Sequence, residues 1–306
     1  MRRRSIGWRG CGTELVTPFD EKGRIDFAAL ERLVAWQIES GADFLVPAAT
    51  TGESATLSGE ERRAVVAAVV LASAGRVPVL AGAGGNHTAK AVFWARDAEA
   101  AGASALLSVT PMYNRPTLEG LARHYAAIAE ATALPIVLSN VPNRTGTDLD
   151  EDAICRLAEI PAVAGLKEGS GNMGRLARLM TLLPDSFAVF AADDLTVLPV
   201  IALGGRGAIS PAANVAPREM GEMVRAAIAG DWAKARVHLH GILPLLDMTG
   251  WETNPGPVKC ALSLMRRCGE TLRLPLAPVT AETRKRVEKL LSERKELPRR
   301  RSAASR

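Results

Sequence analysis

The sequence predicts an α/β fold, a (β/α)8 TIM barrel followed by a C-terminal helical extension. Three observations predict it. Short, continuously apolar runs of strand length recur eight times, which is how strands buried on both faces read. Segments of helical period separate them, as the crossovers between parallel strands require. After the eighth run only helical patterns follow. Eight such units in about 220 residues match the size of this barrel. A doubly wound open sheet is the competing arrangement, and periodicity alone leaves it open.

The eight runs are residues 13–18, 43–48, 77–82, 105–110, 135–140, 162–167, 187–192 and 207–210. In the first helical segment Phe27, Leu30, Val34 and Ile38 share one stripe. In the second, Ser58 and Glu61 make a capping box before Val65 and Val66. Residues 88–101 follow, rich in Ala, the best helix former. Beyond the eighth run the helical patterns cover residues 217–229, 232–246, 257–267 and 281–291. The expected organisation is a basic N-terminal extension over 1–10, a barrel over 11–230, a helical region over 231–293 and a basic, disordered tail over 294–306.

Composition narrows the function classes. The chain has 306 residues, 47% hydrophobic and 23% charged, which excludes disorder as the dominant state. No stretch approaches the roughly 18 apolar residues of a spanning helix. Arg2, Arg3 and Arg4 lead into Ser5, Gly7, Trp8 and Arg9 rather than an apolar secretory segment. A soluble, cytoplasmic protein with no membrane partner is expected. The net charge of +5 sits at the ends: residues 1–10 carry four basic and no acidic residues, and 294–306 carry six basic and one acidic. The body is therefore acidic, and no nucleic-acid partner is expected. Arg299-Arg300-Arg301 reads as a solvated end before it reads as an RNA or lipid contact. Cys11, Cys155, Cys260 and Cys268 form no C-x-x-C pair and read as reduced thiols. His238 and His240 stand two apart on a helical segment, so their side chains diverge. Neither a metal site nor a cofactor is expected.

In a barrel, residues just after each strand converge on one rim. Here they are Thr50-Thr51-Gly52-Glu53-Ser54, Tyr113-Asn114-Arg115, the segment from Asn140 to Gly146, Lys167-Glu168 and Asp193-Asp194. Lys167 ends the run Ala-Val-Ala-Gly-Leu-Lys, where apolar neighbours favour the free amine. Such an amine attacks a ketone to form a Schiff base. The structural alternative is a strand-end lysine that snorkels to water or pairs with Glu168. Ala81-Gly82-Ala83-Gly84-Gly85-Asn86 and Gly204-Gly205-Arg206-Gly207 read as turns rather than phosphate loops, and Ser54 lacks a nucleophile elbow.

These residues carry a resemblance. Ala49-Thr50-Thr51-Gly52-Glu53-Ser54-Ala55-Thr56-Leu57, Val109-Thr110-Pro111-Met112-Tyr113-Asn114, Asn140-Val141-Pro142-Asn143-Arg144-Thr145-Gly146 and Gly165-Leu166-Lys167-Glu168 appear in order. Asn254-Pro255-x-Pro257-Val258-Lys259 and Leu272-Arg273-Leu274-Pro275 extend them into the C-terminal helices. The chain resembles the dihydrodipicolinate synthase/N-acetylneuraminate lyase family over residues 11 to 291. The resemblance implies a barrel, class I aldolase chemistry on pyruvate with a small aldehyde as second substrate, and a homotetramer built as a dimer of dimers. It makes Lys167 the Schiff-base lysine and Thr50 a proton relay. The Thr50 and Thr51 amides, with Gly52 beside them, would hold the pyruvate carboxylate. Preorganised donors of that kind are worth on the order of 3 kcal/mol each. Tyr113 would reach into the neighbouring subunit's site, Arg144 would position an acidic aldehyde, and the Ile209 carbonyl would face the substrate.

Two departures qualify that inheritance. The family's fifth strand reads Y-N-V-P, with a proton-shuttling tyrosine, whereas this chain has Ser139. A bridging water, an altered chemistry or a barrel that binds without turnover are the three readings left open. The family's lysine-inhibition pocket maps onto Gly59, Arg62, Lys90 and Met112, with Asn86 and Ser54 retained. Arg62 and Lys90 would repel a cationic effector, so no lysine feedback is expected. The competing activity is that of a 2-keto-3-deoxy sugar acid aldolase or dehydratase of the same family.

Overall fold

The computed structural model describes residues 3–296. Eight strands, β1 (Gly10–Glu14), β2 (Phe44–Val46), β3 (Leu80–Gly82), β4 (Ala105–Val109), β5 (Ile136–Asn140), β6 (Val163–Glu168), β7 (Ala188–Ala191) and β8 (Gly207–Ser210), pair in parallel in the order β2-β1-β8-β7-β6-β5-β4-β3. A parallel bridge between Leu45 and Val79 joins the two ends of that list. The sheet is therefore a barrel, and the open-sheet alternative falls. The surrounding helices are α1 (Phe27–Glu39), α2 (Gly59–Ser73), α3 (Thr88–Ala100), α4 (Leu118–Ala131), α5 (Pro142–Thr145), α6 (Glu151–Ala158), α7 (Met173–Leu182), α8 (Val197–Ala202) and α9 (Pro217–Ile228). Three more, α10 (Trp232–Met248), α11 (Gly256–Leu264) and α12 (Ala281–Glu293), form the extension. The box at Ser58 and Glu61 forms with both of its hydrogen bonds. No described helix is long and apolar enough to cross a membrane.

Alternation along the strands divides the core in two. Phe44, Val46, Leu80, Leu107, Val137, Phe190 and Ile209 fill the barrel interior, while Leu45, Ala81, Leu106, Leu138, Leu166 and Val189 pack outward under the helices. The interior is a packed layer, with Phe44 and Phe190 edge to face at 5.4 Å. In β6 the register shifts where Ile136 pairs with Val163 and Val137 with Gly165. One extra residue on that strand reverses the alternation above it. Ala164 faces the interior and Leu166 the helices, which leaves Lys167 aimed at the barrel axis.

The first strand starts three residues earlier than its apolar run suggests. Gly10 and Gly12 precede that run, yet both are strand positions that admit no side chain. A Cβ on Gly12 would lie 2.0 Å from the Phe44 ring, and Gly10 has φ +125° with Asp43 against it. The residues before it are also part of the barrel. Ile6 is buried in the interior cluster with Trp8 against it, and the Arg4 guanidinium donates to the Leu134 carbonyl at 2.8 Å. Aromatic and apolar side chains in an otherwise basic stretch close the N-terminal end of the barrel. The Arg299-Arg300-Arg301 tail lies outside the described residues.

The C-terminal helices share the outer apolar core, through Ile242, Leu245, Val258 and Leu262 among others. They are also tied to the rim by a buried ion pair. Lys259 on α11 lies 2.5 Å from Glu53 in the Thr-Thr-Gly-Glu-Ser turn, and both side chains are fully buried. The Lys259 ammonium donates to the Thr271 carbonyl, and the Arg273 amide donates to Glu53. Burial lowers the Lys259 pKa more than Glu53 raises it. Removing one member of such a pair strands the other charge. Lys259→Met is expected to cost about 3–5 kcal/mol, read as a lower denaturant midpoint at unchanged slope.

Candidate active site

Lys167 projects from the C-terminal end of β6 and is 4% exposed. Its Nζ lies 3.0 Å from Oε2 of Glu14, the last residue of β1. The two side chains are among those lining a cavity of about 230 Å³ at the C-terminal rim. The expected alternative partner, Glu168, points elsewhere: it accepts from Asn140 and from the Ser170 amide and pairs with Arg175 at 3.3 Å. Sequence reasoning missed Glu14. Its signal was a carboxylate inside an otherwise apolar interior strand, where a charge must find a partner.

Thr50 and Arg144 also line this cavity; both are exposed to solvent. Arg144 stands on the one-turn helix α5, which begins at Pro142 and closes at Gly146 with φ +67°. No carboxylate lies within ion-pair distance of its guanidinium among the described residues. Thr51 turns away into the fold, where its hydroxyl accepts from Asn254 at 2.9 Å. The Gly52 carbonyl accepts from the Thr17 hydroxyl at 2.7 Å. Gly52 is packed so tightly that a Cβ would lie 3.0 Å from the Leu15 carbonyl. Ser139 sits beside Lys167 across the β5–β6 ladder and is 4% exposed. It lines a small recess together with Glu14, Thr50 and Arg62.

The remaining residues stand apart. Ile209 buries its side chain in the barrel interior, below the cavity. Tyr113 is 91% exposed and holds a left-handed φ of +71°. Tyr125 is buried in the outer core, its phenol pKa pushed far up by burial. Neither tyrosine reaches the space beside Lys167. Burial raises every thiol pKa, Cys260 to about 12 and Cys268 to about 11, so no thiolate competes as a nucleophile at neutral pH.

Of the effector-pocket positions, Lys90 is exposed, while Arg62 is buried. The Arg62 guanidinium donates to the Gly82 and Ser54 carbonyls and lies 3.9 Å over Trp94. Burial lowers its pKa to about 10, which leaves it charged at neutral pH.

The profile of the Dihydrodipicolinate synthetase family matches residues 8–294. The chain belongs to this family. The 4-hydroxy-tetrahydrodipicolinate synthase of Koribacter versatilis is 47% identical over 286 residues, covering 93% of this chain and 95% of that protein. The crystal structure of dihydrodipicolinate synthase from Aquifex aeolicus superposes with a TM-score of 0.93 at 37% identity, over 96% of this chain and 100% of that one. The chloride-inhibited dihydrodipicolinate synthase of Acinetobacter baumannii, complexed with pyruvate, gives 0.92 at 41% identity, over 94% and 99%. Membership of this family agrees with the barrel.

A second acid shares the rim. Asp194 follows β7, lines the cavity and accepts from the Ala212 amide at 3.0 Å. Burial, the largest cause, raises its pKa to about 7, against hydrogen bonds from Ser210 and Ala212 and the nearby Lys167 charge. An unfolded Asp releases its proton near 3.9. Between there and about 7 the folded chain holds a proton that the unfolded chain has lost, so stability falls as pH rises through this window. Asp194→Asn keeps an acceptor for Ala212 and removes the titration. Its unfolding free energy is expected to lose the descending slope between about pH 4 and 7, a span of roughly 4 kcal/mol in the parent chain.

Proposed function

We propose that this chain condenses pyruvate with L-aspartate semialdehyde through a Schiff base on Lys167, as a 4-hydroxy-tetrahydrodipicolinate synthase serving lysine and diaminopimelate biosynthesis. One observation carries the proposal: a lysine buried at the strand-end rim opens into the same cavity as Arg144, whose fork meets no carboxylate among the described residues. The amine supplies the nucleophile, and a guanidinium suits the carboxylate of an acidic aldehyde. Thr50 faces the cavity and serves as the hydroxyl of the proton relay, while the turn through Thr51 and Gly52 presents amides to the pyruvate carboxylate. The Ile209 backbone carbonyl bounds the substrate from β8. No cofactor is required, because the iminium is itself the electron sink.

Tyr113 supports assembly. A phenol 91% exposed on a strained backbone position at the rim suits insertion into a neighbouring subunit, and a homotetramer of two dimers is the arrangement we assign. A cytoplasmic location is the one we assign.

Reduction of the protein with borohydride in the presence of pyruvate tests the chemistry. A stable mass increment of one reduced pyruvate is expected on Lys167, and Lys167→Ala should take up none. Consumption of pyruvate with aspartate semialdehyde is then expected. Release of pyruvate from a 2-keto-3-deoxy sugar acid instead would assign the sister activity.

Arg62 fills part of the effector position with a buried cation, and Lys90 adds a second charge nearby. Condensation is therefore expected to be insensitive to millimolar lysine, and inhibition in a steady-state assay with saturating pyruvate would overturn this.

A further inference from the structure

We propose that Glu14 is the acid–base group of Schiff-base formation, passing protons between Lys167 and the substrate oxygen. The inference rests on the Schiff-base reading above and names a residue for it. An ammonium has no lone pair, so Lys167 cannot attack a carbonyl until one proton leaves. The group within hydrogen-bond distance of Nζ is the Glu14 carboxylate, at 3.0 Å. Its other oxygen, Oε1, is buried without a hydrogen-bond partner among the described residues. A buried carboxylate oxygen left unpaired is costly unless something occupies it during the reaction cycle.

Position supports the role. Glu14 lines both the main cavity and the recess beside Ser139 and Thr50, so it stands between the amine and the residues that would surround the keto acid. The space beside Lys167 that Ser139 leaves open holds no phenol: Tyr113 is exposed, and Tyr125 lies in the outer core. Gly12, one layer below on the same face of β1, keeps the wall thin where Phe44 crosses it. The other ionisable groups facing this space are Arg62 from α2, Arg144 from α5 and Asp193 and Asp194 after β7.

The proton count closes with one carboxylate. Glu14 takes a proton from the Lys167 ammonium. The amine lone pair forms the N–C2 bond as the carbonyl π pair moves to oxygen, and the Glu14 acid protonates that oxygen. Glu14 next accepts a proton from the carbinolamine nitrogen and delivers it to the hydroxyl, which leaves as water as nitrogen donates its pair to form the iminium. Two protons pass from nitrogen to oxygen. Glu14 ends as a carboxylate beside a cation, the state in which it began.

The test is the rate of borohydride-trapped pyruvate adduct in the full chain, measured across pH for the parent, Glu14→Gln and Glu14→Asp. Glu14→Gln keeps shape and hydrogen bonding but holds no transferable proton. Its trapping rate is expected to fall by about 100-fold or more with little change in half-saturating pyruvate, and its pH profile should lose the limb due to the carboxylate. Glu14→Asp, with the carboxylate set back by one methylene, should recover part of the rate and the limb. Glu14→Gln trapping within about threefold of the parent, with the same pH profile, overturns the role of Glu14. Should Glu14→Gln not fold, Glu14→Asp decides instead: a reduced rate supports the role, and a parental rate and profile overturn it. A parent chain that traps no pyruvate fails at Lys167 instead, which sinks the Schiff-base reading itself.

Discussion

A lysine and a glutamate, both about 95% shielded from water, face each other at 3.0 Å across the barrel mouth. Removing two charges from water costs several kcal/mol per ion, and their attraction returns that only with good geometry. Here the geometry is incomplete, because one glutamate oxygen has no partner among the described residues. Apolar residues of similar size would serve the fold as well or better. The pair is thus no device for stability, and it is held by strands that the interior layer of Phe44, Phe190 and Ile209 fixes from below.

The barrel delivers this pair through two local irregularities. A bulge in β6 turns Lys167 inward, and glycines at positions 10 and 12 let β1 lie close against β2 and β8. Neither feature belongs to an ideal strand. Functional rims are where such departures collect, because a side chain must be aimed where regular alternation would not put it.

Much of this was legible in the residues. Continuous apolar runs located seven of the eight strands to within a few residues, since a strand covered on both faces has no polar side to confuse the pattern. The Ser58 box and the Ala-rich stretch after Thr88 marked helices by local chemistry alone. The strand opening at Gly10 was hidden because glycine's usual meaning is a turn, and only the packing of Phe44 and Asp43 gives it another. Lys167 was visible from its place at a run's end. Its partner was not, because Glu14 and Lys167 are 153 positions apart and pair only when β1 closes the barrel. Arg62 read as a charge facing a pocket, yet it is spent on two carbonyls and an indole, a choice that depends on where Trp94 sits.

The Thr-Thr-Gly-Glu-Ser turn shows why the C-terminal helices matter to the chemistry. Its residues divide by destination. Thr50 faces the cavity, Thr51 is gripped by Asn254, and Glu53 is pinned by Lys259 and the Arg273 amide. Glu53 and Ala48 hold left-handed backbone angles, φ +53° and +55°, that such side chains adopt only under constraint. That constraint comes from beyond the barrel, through contacts more than 200 positions away in the chain. The cavity wall itself includes Thr249, Gly250 and Asn254. The geometry of the cavity wall after the second strand is therefore set by how the extension docks. Loosening that docking would misplace Thr50 while leaving Lys167 and Glu14, carried by strands of the closed barrel, in place.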